Sequence, residues 1–112
     1  MSDLSAEDQK LVTLARATRA RTDAAEGAAV RDSDGRTYAA ATVALPSLSV
    51  SALGVCVAMA VASGSRGLEA AVVLGSDAVA DADLAALRDF GGAGVPVHVG
   101  DARGTISAST SS

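Results

Sequence analysis

Metal binding and covalent catalysis rest on a few side-chain types, and this chain holds one cysteine, Cys56, and one histidine, His98. A catalytic zinc site takes three protein ligands and keeps a fourth position open for water. Cysteine and histidine supply two between them. A carboxylate such as Asp81 would have to complete the set, and a separate carboxylate would still be needed to move protons. Cys56 lies in an apolar stretch with no cationic neighbour, the setting of a small buried side chain rather than of a thiolate. His98 alternates with valines and reads as an ordinary hydrogen-bonded or surface histidine without metal partners. Asp81 reads as a helix cap. Gly91-Gly92-Ala93-Gly94 stops a helix; a phosphate cradle would open one. Arg16, Arg19 and Arg21 form the one basic cluster and read as a solvated helix face. The expectation is no catalytic residue, no metal ligand, no cofactor, and substrate-binding residues left unknown.

The elements that would carry these residues follow from pattern. Ser5-Ala6-Glu7-Asp8 has the form of a capping box, and Leu11, Val12, Leu14, Ala15 and Ala17 give an apolar side, predicting a helix from about Ala6 to Ala20. Ala25 to Arg31 and Arg36 to Val43 are predicted as an antiparallel pair around Asp32-Ser33-Asp34-Gly35. Pro46 begins a new segment. From about Val50 to Ala62 the chain is apolar on every side, which predicts a helix buried all round. Gly54, Ala58 and Ala62 are spaced to let another backbone approach, so a second subunit is the expected cover. Ala70 to Leu74 is a continuous apolar run of the kind a central strand shows. A third helix is predicted over about 82 to 90, capped by Asp81 or Asp83. Val95, Val97 and Val99 then alternate as a strand, and a short strand is predicted from Thr105 to Ala108. One domain over residues 1–106 is expected, followed by a flexible Ser-rich tail at 107–112.

Composition narrows the function classes. Apolar residues make up 49% of 112 and aromatics 2%, so the interior must be thin layers of Ala, Val and Leu. A net charge of -4 with a single lysine argues against nucleic acid. Thr37 to Ser65 carries no charge, but Pro46, five serines and many alanines argue against a membrane span. Met1 to Asp8 has Asp3, Glu7 and Asp8 and no basic residue, which predicts no secretory signal. One cysteine cannot close an internal disulfide, in keeping with a cytoplasmic setting.

Glu26-Gly27-Ala28-Ala29-Val30, Asp34-Gly35-Arg36-Thr37-Tyr38 and Cys56-Val57-Ala58-Met59-Ala60 lie in an order and spacing that resembles the small zinc-dependent cytidine deaminases. Those enzymes share a Val-Gly-Ala-Ala strand, an Asp-Gly turn and a Cys-Ala-Glu-Arg helix start. The resemblance is gapless from about Ala17 to Gly64 and looser to Ile106. It implies an α/β, three-layer α-β-α fold with a mixed five-stranded sheet and helices on both faces. It also implies a homodimer or homotetramer. Carried over residue by residue, the family's first zinc ligand falls on Leu53 and its general acid/base glutamate on Val55. Its Pro-Cys-x-x-Cys pair falls on Asp81 and Leu84, its ribose-binding Asn-x-Glu on Thr42-Val43-Ala44, and its base-stacking Phe on Ala24.

Each of those positions has lost the chemistry the resemblance implies. A structural zinc supplies on the order of 10 kcal/mol of folding free energy. A buried Val or Leu contributes roughly 1.5 to 3 kcal/mol without desolvating a charge, so core is expected to fill the emptied pocket. The reading is a degenerate member lacking zinc ligands and catalytic glutamate: an inactive, zinc-free, homo-oligomeric binding or scaffold module whose protein partner is unidentified. The alternatives are a nucleoside deaminase with an unconventional site and a non-catalytic nucleoside-binding protein.

Overall fold

Ser5 begins the first helix, its hydroxyl accepting from the Asp8 amide at 3.1 Å. In the computed structural model, which describes residues 4–112 and leaves Asp3 outside, this helix is α1 (Ala6–Thr22), two residues longer than the apolar pattern predicts. Only half of the expected capping box forms, because the Asp8 carboxylate is turned to Arg31 and His98 instead. The predicted hairpin is β1 (Gly27–Asp32) and β2 (Thr37–Ala41), and Gly35 supplies the turn with φ of 87°.

A second, smaller hairpin follows that no periodicity signals, β3 (Val43–Leu45) and β4 (Leu48–Val50), paired only with each other. Then come α2 (Ala52–Ala62), β5 (Leu68–Leu74), α3 (Asp81–Gly91), β6 (Pro96–Gly100) and β7 (Ile106–Ser111). The flexible tail expected at 107–112 is corrected by β7. It runs to Ser111 and pairs antiparallel with β6, and the Ser112 amide donates to the Val95 carbonyl. Backbone pairing needs no apolar pattern, so a serine run joins a sheet edge as readily as a loop. The cap predicted for α3 is corrected too: Ala80 holds the N-cap position without a side-chain hydrogen bond.

The sheet order is β2-β1-β5-β6-β7, antiparallel except for β5 and β6, which run parallel with α3 as their crossover. This is the mixed five-stranded sheet expected, with helices on both faces. Strand alternation divides its residues. Ala28, Val30, Ala71, Val73, Val97 and Val99 face α2 and α3, where Leu53, Cys56, Val57 and Leu87 complete one core. Ala29, Ala70, Val72 and Leu74 face α1, where Leu11, Val12 and Ala15 complete a second.

β5 is apolar toward both cores, as its unbroken run predicted. α1 lies close because Gly27 has no side chain: a Cβ there would collide with the Ala15 carbonyl oxygen and come within 2.7 Å of the Arg19 Cβ. α2 is less enclosed than its composition predicts. Ala52, Leu53, Cys56, Val57 and Ala60 are buried, while Ala58, Val61 and Ala62 are exposed. Among the described residues no helix is long and apolar enough to cross a membrane.

Candidate functional site

The N-termini of α2 and α3 meet above the β1–β5 side of the sheet, and one hydroxyl joins them. Ser51, the N-cap of α2, accepts from the Gly54 amide at 3.0 Å and donates to Asp83 Oδ1 at 2.8 Å. Gly54, read in sequence as room for a second backbone, has that room filled by its own chain: a Cβ would lie 2.9 Å from Ser51 Oγ and 3.1 Å from Val50. Beside this junction lies a hollow of about 360 Å³ bordered by Glu26, Ser51, Ser76, Asp83, Val73 and Val79. The sequence expectation that apolar side chains fill the place therefore holds only in part. Leu53 points into the core and is 1% exposed, while the space next to it stays open and carries two carboxylates and two hydroxyls.

The remaining positions singled out in sequence divide by burial. Val55 and Leu84 are half-buried and pack on the α2–α3 core. Asp81 is exposed on the first turn of α3. Thr42 pins the mouth of the β1–β2 hairpin, its hydroxyl accepting from the Glu26 amide at 3.0 Å, and Ala44 is exposed on β3. Ala24 is half-buried before β1. Cys56 is fully buried, its thiol 3.7 Å from the Tyr38 carbonyl, and burial pushes its pKa up to about 12. It is a neutral thiol at physiological pH.

Two polar groupings escaped sequence reasoning. Asp32 is buried at the end of β1, where its Oδ1 accepts from the amides of Asp34 and Arg36, both at 2.9 Å. Its Oδ2 accepts from the hydroxyls of Ser65 and Tyr38. Burial raises the Asp32 pKa, but the hydrogen bonds from Ser65, the two amides and Tyr38 outweigh it and hold the carboxyl below its ordinary value. Only the turn itself, Asp followed by Asp-Gly, hints at this in sequence. On the α1 face Asp8 meets Arg31 at 3.0 Å and His98 Nε2 at 3.0 Å, and Arg31 Nε reaches Glu69 at 2.8 Å. His98 is thus a hydrogen-bonded histidine, although its partners lie far off in sequence.

A family-wide sequence profile described as cytidine deaminase-like matches residues 4–104, nearly the whole chain. The chain belongs to the cytidine deaminase-like family. Among curated proteins no sequence match was found. The solved structures it is similar to include the cytidine deaminase of Burkholderia pseudomallei, at 22% identity over 99% of this chain and 93% of that one, with a TM-score of 0.81. The cytidine deaminase of Mycobacterium leprae is 21% identical over 85% and 89% of the two chains, with a TM-score of 0.73. That of Mycobacterium tuberculosis is 22% identical over 83% and 85%, with a TM-score of 0.72. These likenesses establish the cytidine deaminase fold.

The zinc that the fold family implies can be tested against the residues of this cytidine deaminase-like chain. Catalytic zinc wants deprotonated or neutral nitrogen, sulfur or carboxylate donors converging on one point. Here Leu53 and Leu84 offer none, Cys56 is a buried neutral thiol, and His98 lies on the opposite face of the sheet. Among the described residues no three of His, Cys, Asp and Glu converge on a possible metal position. The donor set does not fit the ion.

Proposed function

We propose that the chain is a zinc-free member of the cytidine deaminase-like family that does not deaminate and acts as a binding or scaffold module. The observation that carries this reading is the position of Leu53: fully enclosed in the core at the start of α2, where the family resemblance implies a metal ligand. Val55, one turn position on, has no proton to move where the resemblance implies a glutamate. Metal analysis of purified protein together with a cytidine and deoxycytidine turnover assay tests the proposal. The expected result is zinc well below one per chain and no uridine formed; stoichiometric zinc with turnover overturns it.

The hollow beside Ser51 and Asp83 favours a second reading within the same class, a polar ligand such as a nucleoside held without reaction. Its carboxylates and hydroxyls provide acceptors and donors, and its volume of about 360 Å³ is within the range of small-molecule sites. Melting-temperature shifts across a nucleoside panel measure this, since a ligand of the native state raises apparent stability. No shift at saturating nucleoside leaves the scaffold reading alone.

A homo-oligomer is proposed on the exposed apolar residues. Leu45 is 59% exposed and Leu48 53% on the β3–β4 hairpin, and Val61 is 51% exposed on α2. Exposed apolar residues mark a contact surface where they form a contiguous patch, as Leu45 and Leu48 on one short hairpin would. Light scattering that returns a monomer of 10.9 kDa at micromolar concentration removes this part of the reading. The single buried cysteine suits a cytoplasmic location, and the net charge of -4 favours protein or small-molecule partners over nucleic acid.

A further inference from the structure

On the face of the sheet away from the family's metal positions, three residues from distant parts of the chain form a directed hydrogen-bond chain. Ser109 Oγ lies 2.9 Å from His98 Nδ1, and His98 Nε2 lies 3.0 Å from Asp8 Oδ2. We propose that Ser109 is an activated nucleophile, with His98 as its general base and Asp8 as the residue that positions the imidazole, competent to take an acyl or phosphonyl group from small activated esters.

The proton positions follow from the partners. Burial raises the Asp8 pKa, but hydrogen bonds from His98 and Arg31 and the charges of Arg31 and of His98 when protonated outweigh it and hold the carboxyl below its ordinary value. An ionised carboxylate only accepts, so in the neutral imidazole that the proposal requires His98 Nε2 carries the hydrogen and Nδ1 presents its lone pair. The Ser109 hydroxyl then donates to Nδ1, the polarity that general-base activation of a serine needs. The two ring nitrogens are exchanged relative to the serine-protease arrangement, but the sequence hydroxyl, imidazole, carboxylate is the same.

Burial is graded along the chain of bonds. The Asp8 and His98 side chains are 15% and 12% exposed, whereas Ser109 is exposed on the edge strand β7, where an electrophile can reach it. The charged groups around the imidazole are Asp8 of α1, Arg31 of β1 and, through Arg31, Glu69 of β5. Arg31 shares the Asp8 carboxylate, keeping it ionised while taking part of its charge away from His98. Ser109 stands on the exposed edge strand β7, so the reactivity predicted is toward small reagents.

The step balances without a co-reactant. Ser109 Oγ bonds to the phosphorus of a fluorophosphonate, the P–F bond breaks, fluoride leaves, and the hydroxyl proton passes to His98 Nδ1 and then to solvent. With p-nitrophenyl acetate, Oγ bonds to the carbonyl carbon and p-nitrophenolate leaves.

The test labels the full chain with a fluorophosphonate at neutral pH and locates the adduct by peptide mass spectrometry. Ser107 and Ser111 are exposed on the same strand and serve as internal references that need no variant to fold. Ser109 is expected to label at least about tenfold faster than either, a fraction of the 10² to 10⁴ available to a well-placed base. The preference should vanish in urea and in His98→Gln, which keeps a hydrogen-bonding amide but takes no proton. Ser109→Ala should abolish the p-nitrophenolate burst. Equal labelling of the three serines in the native protein overturns the proposal, as does undiminished Ser109 labelling in a folded His98→Gln protein.

Discussion

The two faces of the central sheet each combine an apolar core with polar groups, but they arrange the polar groups differently. On the α2–α3 face, where the family resemblance implies metal and acid–base chemistry, the chain has Leu53, Cys56, Val57 and Leu87 in an apolar core beside the open hollow at Ser51 and Asp83. On the α1 face, beside the apolar core of Leu11, Val12, Ala29 and Val72, it has Arg31, Glu69, His98 and Asp8 joined by hydrogen bonds and ion pairs. Apolar burial supports both faces. The α1 face holds its polar groups because each finds an oppositely charged or hydrogen-bonding partner.

Breaking the α2 face should give the largest effect. Leu53→Ala removes a fully enclosed side chain at the helix start and leaves a cavity between α2 and the strands below it, at a cost of about 2 to 5 kcal/mol. Urea denaturation should show the midpoint fall with the slope unchanged. A loss under 1 kcal/mol would mean that α2 does not rest on Leu53. The seat of α1 on the other face is probed by Gly27→Ala, because its methyl group has nowhere to go between the Ala15 carbonyl and Arg19. Over-packing there should cost about 1 to 3 kcal/mol, lowering Tm by several degrees.

Asp32→Asn sharpens the comparison at the boundary between the faces. The carboxylate collects two amides and two hydroxyls, and hydrogen bonds to a charged group are worth about 1.5 to 3 kcal/mol. The amide side chain accepts through one oxygen only, so a loss of about 2 kcal/mol at pH 7 is expected. The native pKa of Asp32 is held below its unfolded value, so its stabilisation is complete above about pH 4 and disappears as pH falls through the native value. Wild type should lose stability in acid more steeply than the variant, and the two denaturation curves should converge. Parallel curves from pH 7 to pH 3 would contradict this account.

What was legible in the sequence depended on how far along the chain the cause lay. The run Val72-Val73-Leu74 and the alternation of Val95, Val97 and Val99 predicted strands because each pattern is local and repeats. The hairpin of β3 and β4 was not visible, because three residues a side are too few to establish a period. Asp32 looked like one of two turn aspartates; Ser65, which makes it a hub, lies 33 positions away. His98 and Asp8 are 90 positions apart, and Ser109 sat in a serine run with no pattern to mark it as a strand. A family frame fixed the positions at which Leu53 and Leu84 were read, but it gave no sign of the hollow beside Asp83. Its walls come from four separate segments, and their spacing in the chain says nothing about the space between them.

Asp8→Asn tests the α1 face with the smallest expected change in stability. Asp8 lies in the first turn of α1, where a negative charge gains roughly 0.3 to 1 kcal/mol from the helix dipole, and its ion pair with Arg31 adds up to about 1 kcal/mol. Asparagine keeps a hydrogen-bonding oxygen for His98 but loses the charge, so a drop of about 1 kcal/mol at pH 7 is expected. The native Asp8 carboxyl is also held below its unfolded value. Its contribution is therefore present above about pH 4 and lost toward lower pH, which makes the difference between wild type and variant vanish in acid. Salt separates this from Asp32. Arg31 and Asp8 are 16% and 15% exposed, so added salt should shrink the Asp8→Asn effect, whereas the enclosed Asp32 network should hold its difference. A salt response equal at the two sites would mean that the Asp8–Arg31 pair is as sealed from solvent as the Asp32 hub.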